Sequence, residues 1–375
     1  MKTFPTVGIQ TGNLLLPKPG IDLSKWAVIA CDQFTSQPDY WNQVSTLVGD
    51  SPSTFHLILP EVYLNTPQES ARIQSTRENM HRYMEEGLLQ PVEGLILVER
   101  SVAGKTRYGL MVSLDLEKYD FSKGSQSLIR ATEGTILDRL PPRIRIRQDA
   151  PLELPHILVL VDDPHRTIIE PLVTQKHNFP KLYDLDLMLG SGHLTGYHIA
   201  TPELEMQVIS GLENLASPGN FYPKYGVEDP KGVLLFAVGD GNHSLATAKS
   251  IWEKNKNQVG MDHPSRYALV ELENVHDEGL EFEPIHRVLF GAESTWFQAL
   301  QAYFSDLITI KSVTDQETMV QMVKFTQPPQ QAFGIIDYEG FYVAVLSNPS
   351  SNLPVGSLQS FLDNWLKSGG AEKID

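Results

Sequence analysis

A single cysteine, Cys31, stands among 375 residues, which excludes an intrachain disulfide and suits a reducing compartment. In "WAVIACDQF" the thiol reads as a small buried group at a strand end, with no base or metal-ligand spacing beside it. Positive charge is scarce: 30 Lys and Arg against 46 Asp and Glu leave a net charge of −16. Such a field repels polyanions and disfavours nucleic acid as a partner, but it leaves small phosphate esters open wherever cations gather locally. Long apolar runs are also missing. Val233 to Val238 is far too short to span a bilayer, and no signal-type apolar region follows the N-terminal charges, so a cytoplasmic protein without membrane attachment is expected. The 11 histidines form no His-Glu-x-x-His pattern, and paired cysteines and an EF-hand loop are absent, so no structural zinc site is expected, whereas Mg2+ arriving with a nucleotide would leave no motif. Walker, GxGxxG and Gly-x-Ser-x-Gly signatures are lacking too, which removes the common nucleotide and nucleophile-elbow motifs.

What is present is a chain long enough for two or three domains, with strand and helix signals mixed without strict alternation. That favours an α+β fold with mixed sheets and packed helices. Weak boundaries near 125 and 262 divide it into an N-terminal α/β domain (1–125), a central domain (126–262) and a C-terminal α/β domain (263–375). The patterning predicts a buried strand in "KWAVIAC" and helices over 38–47 and within 67–89. It also predicts hairpins turning at Ala103-Gly104-Lys105 and Glu339-Gly340, and a long surface loop from Ala216 to Gly232.

The segment "VLLFAVGDGNHSLATAKSIWE" joins an apolar strand to an amphipathic helix with Leu245, Ala248, Ile251 and Trp252 on one face. Between them lies a glycine turn, with Asn242 or Ser244 as a cap. Free N–H groups at a helix start and close backbone approach at Gly239 and Gly241 are what a phosphate site needs. The competing reading is a plain capped turn, in which Asp240 and Asn242 bond local backbone and His243 is inert.

"GDGNHSLATAK" resembles the Asp-Gly-Asn/His-His-Arg box of the ParB/sulfiredoxin superfamily, where turn and helix start bind nucleotide phosphates and where free-serine kinases occur. Together with "VIACDQFTSQPDYW", "TEGTILDRLPPRIRIR", "LPHILVLVDDP" and "FEPIHRVL", it resembles more closely the bacterial domain-of-unknown-function family 1015, across essentially the whole chain. The resemblance implies a ParB/sulfiredoxin-like core and a chain running somewhat past Asp375. The box usually ends in Arg, and here Ser244 takes that place, so another cation must supply the charge.

"RLPPRIRIRQ" offers one. Read as a strand, it puts Arg143, Arg145 and Arg147 on one face, and from Arg130 to Arg147 the arginines outnumber the acids by three. The alternative is a solvated face paired with acids. Glu133 or Asp240 is the expected general base or Mg2+ ligand, with His243 beside them, and Gly239, Gly241, Asn242, Ser244, Arg130, Arg143 and Arg145 are the expected phosphate contacts. Asp32 and Gln33 at a strand end, His193 in a glycine loop and His286 near a helix start are further pocket candidates. The expected activity is transfer from a nucleoside di- or triphosphate, with Mg2+, to a small hydroxyl compound. A nucleotide-binding switch and a ParB-like phosphodiester hydrolase are the alternatives. Nothing in the sequence indicates the acceptor or an oligomeric state.

Overall fold

In the computed structural model, Ala103 and Gly104 both take positive φ, 50° and 80°, the geometry that turns two twisted strands back on each other. All residues except 13, 135–139, 155, 228–231, 281–285 and 375 are described. The chain divides into two compact units, 1–281 and 282–375, so the expected boundaries near 125 and 262 both fall inside the first.

The strands of unit 1 are β1 (Lys2–Phe4), β2 (Ile9–Thr11), β3 (Leu14–Pro17), β4 (Leu89–Val92), β5 (Leu95–Val102), β6 (Lys105–Asp115), β7 (Tyr119–Asp120), β8 (Ile129–Ala131), β9 (Leu158–Val161), β10 (Lys181–Asp186), β11 (His193–Ile199), β12 (Phe236–Asp240) and β13 (Tyr267–Asn274). Eleven of them build one mixed sheet in the order β10-β11-β5-β6-β13-β9-β12-β8-β7, with β2 on the end of β6 and β1 on β2, while β3 and β4 pair separately. β9 runs parallel to β13 and antiparallel to β12. The helices of this unit are α1 (Leu23–Trp26), α2 (Pro38–Val48), α3 (Glu69–Glu85), α4 (Leu140–Arg147), α5 (Glu170–Thr174), α6 (Pro202–Ala216), α7 (Pro218–Tyr225) and α8 (Asn242–Val259).

Side chains alternate across a strand. Leu110, Val112 and Leu114 of β6 and Val270 and Leu272 of β13 therefore share one buried face with Leu245, Ala248 and Trp252 of α8 and Val208, Ile209 and Leu212 of α6. The predicted apolar stripe of α8 is the face that is buried. Trp41 and Val44 of α2 form a separate core with Phe55 and Ile73.

Unit 2 contains β14 (Leu289–Phe290), β15 (Ile308–Val313), β16 (Gln331–Asp337), β17 (Gly340–Leu346), β18 (Lys373–Ile374), α9 (Trp296–Phe304), α10 (Gln316–Lys324) and α11 (Pro354–Lys367). Leu300, Phe361 and Trp365 pack on Phe333 and Ala344, and Met319 packs on Ala332 and Val343.

Three local expectations are corrected. "KWAVIAC" is not a strand: Asp22 caps the single turn α1, and the chain beyond it bonds to isolated partners, with Glu61 N donating to Cys31 O at 2.7 Å. Arg143 to Arg147 belongs to helix α4, because Pro141 and Pro142 sit in a first turn that needs no N–H from them. The predicted loop contains α7, opened by Pro218 and closed by Gly226. Among the described residues, no helix is long and apolar enough to cross a membrane.

Candidate functional site

The strand before the glycine turn runs as far as Asp240, two residues further than its apolar run, and α8 starts at once with Asn242. Gly241 is the N-cap, at φ 77° and ψ 27°, and no side chain caps the helix among the described residues. Neither Asn242 nor Ser244 plays the expected capping role. A side chain at Gly241 would put its Cβ 3.0 Å from Ile157 Cα, so glycine is required both by conformation and by the close approach of the chain leading into β9. The backbone N–H groups of the first turn of α8 are therefore left to other partners.

Asn242 is buried and does structural work. Its Oδ1 accepts from Thr132 N at 3.2 Å, and its Nδ2 donates to Thr132 Oγ1 at 3.3 Å, tying the end of β8 to the start of α8. Asn242→Ala is expected to cost about 1–3 kcal/mol, since it leaves the Thr132 N–H unsatisfied; urea unfolding measures this directly. Ser244 is half-buried inside the first turn.

Two carboxylates flank the turn. Glu133 is exposed, with Oε1 3.9 Å from Nδ1 of the half-buried His243. Asp240 is exposed, and its Oδ1 accepts from Gly241 N at 2.7 Å. Its acidity is nonetheless weakened. Desolvation by the surrounding protein and the negative charge of Asp32 push its carboxyl above the usual range, against the pull of the Gly241 N–H, His156 and Arg107. The charge of Asp32, which is half-buried, therefore acts on Asp240. Asp32 Oδ2 lies 3.4 Å from His156 Nε2, and His156 Nδ1 lies 3.6 Å from Cys31 Sγ. A base does accompany the cysteine, contrary to the sequence reading. It comes from the chain entering β9, and no local spacing signals it.

Arg107 and its partners were also missed. Glu271 pairs with Leu158 of β9, which pairs in turn with Asp240 of β12, so a row crosses three strands. Arg107 Nε stands 2.9 Å from Glu273 Oε1, and Arg107 Nη2 stands 3.7 Å from Glu271 Oε2. Burial pushes Glu271 up, and burial together with the charge of Glu271 pushes Glu273 up to about 8. Neither Glu273 oxygen finds a well-aligned hydrogen-bond donor among the described residues.

The predicted arginines are committed to other contacts. Arg130 donates to Ser127 O and Gly232 O; Gly232 lies before β12, at the opposite end of that strand from the turn. Arg143 pairs with Glu61 at 2.5 Å, Arg145 with Glu69 at 2.6 Å, and Arg147 with Glu153. The charge of Arg143 also acts on Cys31. Gln33 is exposed, and its backbone oxygen accepts from Trp41 Nε1. His193 is not in a loop but opens strand β11: Asp186 and Asp184 hold its two nitrogens at 2.7 and 2.8 Å on the β10–β11 pair, and these bonds raise its proton affinity. Four strands separate β11 from β12, about 24 Å at normal strand spacing. His286 belongs to unit 2, exposed in chain leading to β14, and no helix follows it directly.

A mixed sheet with this turn at the C-terminal end of the interior strand β12, together with its packed helices, makes the chain an α+β protein. The profile of the family described as "Protein of unknown function (DUF1015)" matches residues 15–365, and the chain belongs to that family. No curated protein and no solved structure matches the chain.

Proposed function

We propose that this protein is a nucleotide-dependent phosphotransferase acting in the cytoplasm on a small hydroxyl-bearing metabolite, with a ParB/sulfiredoxin-like core around the turn from Gly239 to Ser244. One observation carries the reading: the uncapped start of an 18-residue helix lies directly beside a carboxylate of raised proton affinity, Asp240. Backbone donors and the positive helix end suit the phosphates of a nucleoside di- or triphosphate, and His243 adds a side-chain donor from the first turn. Asp240 is the general base. As the acceptor oxygen bonds to the terminal phosphorus, its proton passes to Asp240, and the bridging P–O bond breaks with its electron pair leaving on the nucleotide.

Among the described residues, no group of three His, Cys, Asp or Glu side chains is placed to hold a metal ion. Asp32 fits the lesser demand of Mg2+ that arrives on nucleotide phosphates, which takes as few as one protein carboxylate. Bound there, the ion would neutralise phosphate charge.

Calorimetry with MgADP and MgATP tests the reading. The unmodified protein is expected to bind, and His243→Ala to weaken binding about ten- to a hundredfold, the effect of one charge-assisted hydrogen bond. His193→Ala, far across the sheet, should leave binding unchanged. No binding at millimolar nucleotide removes the proposal. Binding without transfer to any hydroxyl acceptor makes the protein a nucleotide switch.

A further inference from the structure

The loop that follows Asp32 opens onto a cavity of about 580 Å3 that the transfer chemistry above leaves unused. Its size is that of a small-molecule site. Tyr40 of α2 and Leu189, in the turn between β10 and β11, form its apolar walls, and Gln37, Asp39 and Gln43 form a polar rim. Phe34 backs Tyr40, with ring centroids 3.9 Å apart and planes inclined by 13°. Phe34 and Leu189 are exposed, and both stand at positive φ, 54° and 56°, a conformation that bulky residues rarely take and that gathers at ligand sites. Among the described residues, the Gln37, Asp39 and Gln43 side chains have no hydrogen-bond or ion-pair partner. Asp39 lies in the first turn of α2, where its charge turns anions away, so the cavity suits a flat, neutral ring.

We propose that this cavity holds the purine base of the nucleotide whose phosphates lie at the start of α8. The inference rests on the phosphotransferase reading and gives its donor a base. Phe34 follows Asp32 by two residues, so their Cα atoms are at most about 7 Å apart, and the charge of Asp32 reaches Asp240 at the turn. A second connection runs through the sheet. Tyr40 Oη lies 2.9 Å from Ser191 Oγ, and Arg100 Nη2 donates to Ser191 O at 3.1 Å. Arg100 stands opposite Arg107 on the β5–β6 pair, and the charge of Arg107 also reaches Asp240. Two guanidinium groups thus link the ring cavity to the turn, as a nucleotide with its phosphates extended requires. A two-ring base gains more contact with Tyr40 and Leu189 than a pyrimidine does. The unpaired carboxamides match the N6 and N7 edge of adenine, and the Asp39 carboxylate can accept from the N1 and N2 hydrogens of guanine.

Calorimetry on the full chain with MgATP, MgGTP, MgCTP and magnesium tripolyphosphate tests the assignment. MgATP or MgGTP is expected to bind about tenfold or more tightly than MgCTP and tripolyphosphate, and the tighter of the two names the base. Leu189→Asn suits the left-handed backbone and removes an apolar wall. It is expected to weaken that purine nucleotide about tenfold and to leave tripolyphosphate within about twofold. Gln43→Ala, at an exposed position of α2, is expected to weaken the same nucleotide about three- to tenfold, with tripolyphosphate again unchanged. MgCTP or tripolyphosphate bound as tightly as the purine nucleotides overturns the purine site while phosphate binding at α8 stands. So do variants whose losses are equal for tripolyphosphate and the purine nucleotide. If none of the four binds at millimolar concentration, the nucleotide reading falls and the purine site falls with it.

Discussion

Asp240→Asn is expected to lower phosphoryl transfer by about a hundred- to ten-thousandfold, the usual contribution of a positioned general base, while leaving nucleotide affinity unchanged or tighter. Amide for carboxylate preserves the shape of the turn and the bond from Gly241 N, but it cannot accept the acceptor proton. It also removes a negative charge next to the phosphates. The same variant should be more stable than the unmodified protein at neutral pH. Desolvation and Asp32 raise the Asp240 pKa in the folded state, so folding favours the protonated form. The contribution to stability is fully present below the ordinary Asp range and is lost as pH rises through the raised value. At pH 7 the ionised group is a liability that Asn lacks, and the gain in Tm should vanish in acid. A variant equally stable at every pH, or one that keeps its turnover, contradicts the assignment of Asp240.

Arg107→Ala is expected to destabilise the protein by about 3–5 kcal/mol above pH 8, the usual result of removing one partner of a buried ion pair. Arg107 contacts two carboxylates on β13, and the Glu273 side chain is fully buried. Both carboxyls are raised, Glu273 to about 8. Below the ordinary Glu range both are protonated in folded and unfolded chains alike, so Arg107 has no anion to neutralise. As pH rises towards 8 the unfolded chain ionises first, and stability falls. Above 8 the folded protein must carry the Glu273 charge, and Arg107 matters most. Urea unfolding at pH 5 and pH 9 should therefore show a small effect in acid and a large one in base, with Glu273→Gln recovering much of the loss in the double variant. Equal losses at both pH values would assign Arg107 to packing.

Features that depend on neighbours in the chain were legible. The buried stripe of α8, the helix α2 and the hairpins at Ala103-Gly104 and near Gly340 follow from side-chain period and turn chemistry, which act within a few residues. The glycine turn, and its place between strand and helix, follow from the same local rules. What the sequence left open was decided by partners distant in the chain. The alternation Arg-Ile-Arg-Ile-Arg has a strand's period, yet two prolines start a helix there, and Glu61, Glu69 and Glu153 neutralise the arginines that looked available for phosphate. "KWAVIAC" has a strand's composition but forms no ladder with any strand among the described residues. Asp32, Asp240, His156 and Arg107 come from four separate segments, and His156 stands 125 residues from the cysteine it contacts. Periodicity reports only the face a residue occupies, whereas the proton affinity of Asp240 depends on its desolvation and on which charges the fold brings near it, Asp32 and His156 from irregular chain and Arg107 from β6, and that is set by the tertiary structure.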